Sequence, residues 1–322
     1  MRKFLLPVII GAIAVVFATA QQTQSQQSFD ITTLHVQGNV YMLQGAGGNV
    51  AVQTGDMGVV VVDTGLEQAS GALIAAIKKL SDRPLQYIIN THAHPDHVGG
   101  NDAVRRAGVT ITGANVAGNL TDATQGAAII AHENVLNRMS APTGKQAAFA
   151  FGFWPTETYV SGQKEVHFND EPIEIRWQKN AHTDGDSFVI FRRSDVVASG
   201  DIFVTTTFPF IDLDRGGSIQ GEIEALNNLI DIAIPKHEEE GGTYIIPGHG
   251  RICDEFDVVE FRDMVTIIRD RIQNAIKKGM TLDQVKSAKL TLDYDARWGA
   301  KPGFGSTNNF VESVYKSLAV KK

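Results

Sequence analysis

The sequence predicts an α/β fold, strands stacked with helices outside them, and three observations carry that expectation. Short apolar, β-branched runs alternate with stretches of helical spacing along the chain. The stretch Asn90-Thr91-His92-Ala93-His94-Pro95-Asp96-His97 follows directly on the apolar run Leu85 to Ile89, so a strand delivers it on a loop. Three later β-rich runs lead into residues suited to bind metal, at His182, Asp201 and His249. Ligands in such sheets gather at the carboxyl ends of strands, so one shared site is expected.

In chain order, Arg2 and Lys3 precede an apolar run from Phe4 to Phe17, and Ala18-Thr19-Ala20 is a small-x-small cleavage pattern. Residues 1–20 therefore read as a secretory signal peptide. The apolar run is short of the roughly 20 residues that span a bilayer, and Gln21, not cysteine, follows the cut, so no stable membrane anchor is expected afterwards. A periplasmic or secreted protein follows. Residues 21–30, rich in Gln and Ser, are expected to form a disordered leader to a folded domain over 31–322.

From Thr33 the pattern predicts short strands at Val40–Leu43, Val50–Thr54 and Val59–Val62, the last ending in Asp63-Thr64-Gly65. Leu73, Ile74, Ile77 and Leu80 then give helical spacing over 66–80, and Leu85–Asn90 is the next strand. Pro95 and Gly99-Gly100 are expected to keep the ligand segment out of regular structure. A short helix over 101–107 and a strand over Val109–Thr112 come next, followed by helical fragments and the aromatic run Phe149 to Trp154.

The second half restarts with strands at Glu165–Phe168, Ile173–Trp177, Ser187–Phe191, Val196–Ser199 and Tyr244–Ile246. Helices are expected over Gly221–Ile234, Val258–Ile276 and Asn309–Leu318, from their apolar spacing. Removing residues 1–20 takes away Arg2, Lys3 and no acid, moving the net charge from −7 to −9. Bulk charge of that sign opposes binding to nucleic acid, which leaves a small-molecule substrate as the expected partner. The single cysteine, Cys253, excludes an internal disulfide, so core packing and metal must hold the exported chain together.

Imidazoles and carboxylates without thiolates make zinc the first candidate metal. The ordered set of Asp63 after a hydrophobic strand, His92-x-His94-x-Asp96-His97, His182, Asp201 and His249 resembles the metallo-β-lactamase superfamily across nearly all of the chain up to about Cys253. The resemblance implies a four-layer αββα sandwich with the site at one edge of two sheets. It implies that His92, His94 and His182 bind one Zn²⁺, that Asp96, His97 and His249 bind a second, and that Asp201 bridges them. A hydroxide held by the two Zn²⁺ would attack the carbonyl of a small ester, lactone, thioester or amide, β-lactams included. Asp96 would also aim that nucleophile as a catalytic residue, and Asp63 would support the ligand loop from behind.

Many true metallo-β-lactamases carry cysteine or serine where Asp201 stands, whereas thioesterases and lactonases of the superfamily share the aspartate. Two alternatives stay open. The same ligands on one Fe²⁺ resemble persulfide dioxygenases, and a hydroxyacylglutathione hydrolase-like thioesterase is the other. The apolar stretches nearest the ligands predict a substrate wall from Phe208 and Phe210, downstream of Asp201, and from Trp154. Asp184 and Asp186 are expected to shape the turn after His182, and His35, His132, His167 and His237 to lie outside the site.

Overall fold

A computed structural model describes residues 28–109, 126–140, 147–236, 241–299, 303 and 305–319. Strands β1 (Thr32–Gln37), β2 (Val40–Gln44), β3 (Val50–Gly55) and β4 (Gly58–Val62) form an antiparallel meander. The chain then runs through α1 (Ser70–Leu80) to β5 (Leu85–Ile89), α2 (Pro95–Val98), α3 (Asn101–Arg106), β6 (Ala128–His132), α4 (Glu133–Ser140) and β7 (Glu157–Tyr159). Strands β4 to β7 are parallel to one another, which completes a seven-stranded sheet in sequence order.

The second sheet takes β8 (Gln163–Phe168), β9 (Glu171–Trp177), β10 (Ser187–Phe191) and β11 (Val196–Val204) as antiparallel neighbours. After α5 (Ile219–Ile232), β12 (Tyr244–His249) joins the edge parallel to β11. The remaining helices are α6 (Glu255–Lys277), α7 (Leu282–Ser287), α8 (Asp295–Trp298) and α9 (Thr307–Ala319).

The period-2 alternation of each strand decides the layering. Val60 and Val62 of β4, Ile173 and Ile175 of β9 and Val189 and Phe191 of β10 meet between the two sheets. Val59 and Val61 turn the other way, onto Leu73 and Ile77 of α1. Phe188 and Ile190 face Leu226 of α5 and the apolar stripe of α6, Val258, Phe261, Val265 and Ile268. Helix, sheet, sheet, helix is therefore the αββα arrangement implied by the resemblance. Each strand buried on both faces reads as a continuous apolar run, as VVVV at 59–62 does.

Several expectations change. Pro95 starts a single helical turn, since its fixed φ suits the first helical position, so the ligand segment is not wholly irregular. Asp201 does not follow its strand but lies within β11, which continues to Val204 past a bulge at Gly200. Pro247 sits inside β12, an edge strand where a missing donor is tolerated. Strands β6 and β7 occupy a region read as helical fragments. Phe29 packs on the outer face of the first sheet, so ordered contacts begin before residue 31. The expected signal peptide, His237 and the strand over 110–112 lie outside the described residues. Among those described, no helix is long and apolar enough to cross a membrane.

Candidate metal centre

The ends of both sheets meet at one edge, and backbone bonds fix them there. Asn49 N donates to Gly248 O at 2.8 Å, Gly48 N to Asp96 O at 3.0 Å, and Ser187 N to Thr91 O at 2.9 Å. The ligand loop between β5 and α3 is tied at its two ends by a reciprocal amide pair, Asn90 and Asn101, with bonds of 3.1 and 2.8 Å. Asn101 also donates to Phe153 O at 2.8 Å. The aromatic run is thereby placed behind the loop: Phe149, Phe153 and Trp154 pack on Ala93, Val98, Val135 and Met139. Trp154 is thus support for the loop and not the substrate wall predicted from sequence.

His92, His94, His182 and Asp201 each bring one ligand atom within 4.8 Å of the others, and Asp96, His97 and His249 do the same beside them. Asp201 lies between the groups: its Oδ1 is 3.1 Å from His97 Nε2 and 3.5 Å from His249 Nε2, its Oδ2 4.0 Å from His92 Nε2 and 3.9 Å from His182 Nε2. All seven residues expected as ligands are thus brought to one place.

Each of four imidazoles is held from behind by its other nitrogen, which fixes ring orientation and tautomer. His92 Nδ1 meets Thr91 Oγ1 at 3.0 Å, His97 Nδ1 meets Asp63 Oδ2 at 2.8 Å, and His182 Nδ1 donates to Phe210 O. Asp63 also accepts from Thr91 N and Thr91 Oγ1 at 2.8 and 2.7 Å. Those three bonds hold it at φ 63°, a left-handed conformation that costs a non-glycine residue about 1–3 kcal/mol. His94 is the inverted member: its Nδ1 faces His182 Nε2 at 2.9 Å, and its Nε2 meets Asp212 Oδ2 at 2.9 Å.

The donor set fits a metal ion. His92 Nε2, His97 Nε2 and Asp201 Oδ1 are buried without hydrogen-bond alignment even where they approach closely. Buried polar atoms left in that state cost about 1–3 kcal/mol each, and three of them converging on one volume suit a cation. Burial, then neighbouring imidazoles, pushes His182 down to about 4 and His92 well below its ordinary value. Both are therefore neutral near pH 7 with a lone pair to give. Burial also pulls on His249, but the Asp201 and Asp96 carboxylates outweigh it and hold that imidazole up at about 9. Desolvation would raise Asp201, yet His97 and His249 keep it well below the usual carboxylate range.

Two glycines leave room for this packing. A Cβ on Gly48 would lie 2.5 Å from the His97 ring, and one on Gly248 would collide with Asp201 Oδ1. Asp186 shapes the turn after His182 by accepting from Thr183 N and Oγ1 at 2.7 and 2.6 Å, while Asp184 pairs with Arg138 at 2.6 Å. His132 stacks on Trp177, away from the ligands.

A pocket of about 610 Å³ opens onto His94, Asp96, Asp201 and His249. Leu66, Pro95, Val204 and Phe210 give it an apolar wall, and Arg215 is the cation in its lining. Phe208 is absent from that wall. It is fully buried and stacks on Phe310 of α9 at 5.0 Å, with its backbone N bonded to Trp298 O. An unbroken extended chain would point Phe208 and Phe210, two residues apart, the same way, but the chain bends over 205–208 ahead of Pro209, so Phe208 enters the helix-side core while Phe210 reaches the pocket and packs at 5.8 Å from His94. Sequence reasoning missed Asn90, Asn101, Asp212 and Arg215. The Asn pair flanks the histidine motif and was the most accessible of these, whereas Asp212 and Arg215 sit in a turn with no periodic signal.

Comparison with known proteins agrees with this geometry. The family profile described as "Metallo-beta-lactamase superfamily" matches residues 36–249, more than half of the chain. A linear primary-alkylsulfatase from Pseudomonas sp. (strain ATCC 19151) is 24% identical over 272 residues, covering 72% of this chain and 48% of its own. An inverting sec-alkylsulfatase from Pseudomonas sp. superposes with a TM-score of 0.61 at 15% identity, over 90% of this chain and 50% of the other. A metallo-beta-lactamase from Pontibacter korlensis gives a TM-score of 0.55 at 14% identity, over 74% and 99%. The chain spans about half the length of the curated relatives it matches. Helices α6 to α9 lie beyond the matched span.

Proposed function

Because the chain belongs to the metallo-beta-lactamase superfamily, we propose that it is a metal-dependent hydrolase of esters that join an apolar, chain-like alcohol to an anionic acid, an alkyl sulfate first among them. The observation that carries this reading is the pocket, in which an apolar wall of Leu66, Pro95, Val204 and Phe210 and the guanidinium of Arg215 converge on the ligand cluster. A neutral lactone or a bulky polar amide would use only one of those two features. The alkylsulfatase relatives support the same substrate class, although this chain corresponds to half of their length.

His92, His94, His182 and Asp201 would hold one divalent cation and Asp96, His97 and His249 a second, with Asp201 facing both. Two Zn²⁺ ions so held supply Lewis acidity and acidify water at neutral pH. The protein's own groups do the rest. Phe210 and Leu66 exclude water around the alkyl chain. Arg215 holds the anionic head, and a guanidinium offers oxyanions two donors in a fixed fork. Asp96, about one-third exposed at the mouth and 3.1 Å from His249 Nε2, would accept a hydrogen bond from attacking water and aim it. The balanced reaction is alkyl sulfate plus water giving alcohol plus hydrogen sulfate.

The deciding experiment pairs metal analysis with a substrate panel: primary and secondary alkyl sulfates against carboxylic esters, lactones, thioesters and β-lactams. Sulfate release from alkyl sulfates with about two zinc per chain is the expected result. Turnover confined to carbonyl substrates would replace alkyl sulfates with the small-acyl class, and one iron per chain with oxygen consumption would make the protein an oxidoreductase.

A further inference from the structure

We infer that Asp212 is a positioning residue of the metal centre, which fixes the inverted imidazole of His94 and links it to the pocket through Arg215. The inference rests on the metal-centre reading above and assigns a role to a residue outside the ligand motifs.

Three of the imidazoles present Nε2 to the cluster and are held at Nδ1, whereas His94 presents Nδ1 and must be held at Nε2. A neutral imidazole has one donor and one acceptor nitrogen. If the proton moves to Nδ1, the ring offers the cluster a donor where a lone pair is required. Asp212 Oδ2, 2.9 Å from His94 Nε2, keeps the proton on the far side. No other side chain among the bonds described to His94 Nε2 can accept: Arg215 Nη1, at 3.5 Å, is itself a donor.

Asp212 is in turn held by its own turn. Its backbone N donates to His182 O at 2.9 Å, so it is anchored to a second ligand segment. Its Oδ1 accepts from Arg215 N at 3.0 Å, capping the short helical turn that follows, and its Oδ2 accepts from Arg215 Nη1 at 2.7 Å. Asp212 is buried, while the Arg215 side chain is 37% exposed and lines the pocket. One carboxylate therefore touches a metal ligand and the guanidinium that lines the pocket. An anionic substrate group that engages Arg215 acts on the same atom that aims His94.

The test compares wild type, Asp212→Asn and Asp212→Ala as full chains. The readouts are chelator competition for Zn²⁺ and the visible spectrum of the cobalt(II)-loaded protein. Losing a carboxylate behind a metal-bound histidine typically weakens metal binding by about 10–100-fold. Asp212→Ala is expected to lose affinity in that range at one of the two sites, with a changed cobalt spectrum. Asp212→Asn keeps an acceptor oxygen and a good turn cap, so it is expected to recover most of the affinity and the wild-type fold. Should the alanine variant fail to fold, the asparagine variant decides: its neutral amide is a weaker acceptor for His94 Nε2 than a carboxylate, so a zinc affinity measurably below wild type with a shifted cobalt spectrum supports the role, and both identical to wild type would overturn it. Metal retention in Asp212→Ala equal to wild type would do so directly. Wild-type protein that takes up no zinc or cobalt would overturn the proposed function together with this inference.

Discussion

The two halves of the metal centre are built to different degrees of closure. His92 and His182 are 1% and 0% exposed, His92 backed by the hydroxyl of the preceding Thr91 and His182 by the Phe210 carbonyl of a neighbouring loop. Asp96 and His249 stand open at 32% and 31% of their side-chain surface, at the mouth of the pocket. The difference teaches which half is scaffold and which half meets solvent and substrate. The closed half is tied by the bond from Ser187 N to Thr91 O, and the open half, tied by Gly48 N to Asp96 O and Asn49 N to Gly248 O, rests on two residues of a single helical turn, Asp96 and the buried His97, and on the end of an edge strand.

The sharpest break of this comparison is Asp201→Ala, because Asp201 alone faces both halves. Loss of both metals and a fall in activity of about three orders of magnitude are expected, several kcal/mol of lost electrostatic stabilisation at about 1.4 kcal/mol per tenfold. His249→Ala should empty only the open half and leave one zinc per chain by metal analysis. Equal retention in the two variants would erase the distinction.

Stripping metal comes next. A ligand present at about a thousand times its dissociation constant adds roughly 4 kcal/mol, so a chelator should lower Tm by about 8–15 °C. The open half should lose its ion first in a timed chelation followed by metal analysis. Simultaneous loss would mean that burial of His92 and His182 does not govern exchange.

Phe208 and Phe210 separate core from pocket within three residues. Phe208→Ala should cost about 3–5 kcal/mol of stability, read as a fall in Tm, since it leaves a cavity against Phe310. Phe210→Ala should instead raise KM for long-chain substrates by roughly tenfold or more, from about 1.5–3 kcal/mol of lost apolar contact. A Tm loss in Phe210→Ala matching that of Phe208→Ala would place both in the core.

The smallest expected effect lies behind the closed half. Glu222 on α5 is fully buried with both carboxylate oxygens unpartnered, and burial, with Asp186 and Asp201 adding to it, raises its pKa well above the usual value. A raised folded-state pKa means that the unfolded chain releases the proton first. Stability therefore falls as pH rises above the unfolded glutamate value near 4.3. Glu222→Gln should match wild type near pH 4 and melt a few degrees higher near pH 8. A difference in Tm that does not grow between those pH values would show that Glu222 is ionised in the fold.

Much of this was legible because strands buried on both faces spell themselves in apolar letters and the residues after them are chemically conspicuous. Val59 to Val62 announces Asp63, and Leu85 to Ile89 announces the histidine loop. The layered arrangement came from resemblance, since alternation within β9 or β10 tells which faces are buried but not what covers them. Asp212 was illegible for a related reason: its partner His94 lies 118 positions earlier, and only tertiary contact joins a turn aspartate to a ligand. Phe208 and Phe210 share one apolar segment, and the direction each points depends on Trp298 and Phe310, far along the chain.

Gly48 and Gly248 carry a lesson for anyone building a library of variants around this centre. Neither offers an atom to a metal or a substrate, so a design that ranks positions by side-chain chemistry would leave them free to vary. Yet a methyl group at either would press on His97, held at its other nitrogen by Asp63, or on Asp201, which faces both clusters. Neither neighbour can swing aside without abandoning its post. Saturation mutagenesis should accordingly find these two side-chain-less positions nearly as intolerant as the histidines themselves, and a useful search for new specificity would spend its diversity on Leu66, Val204 and Phe210 instead.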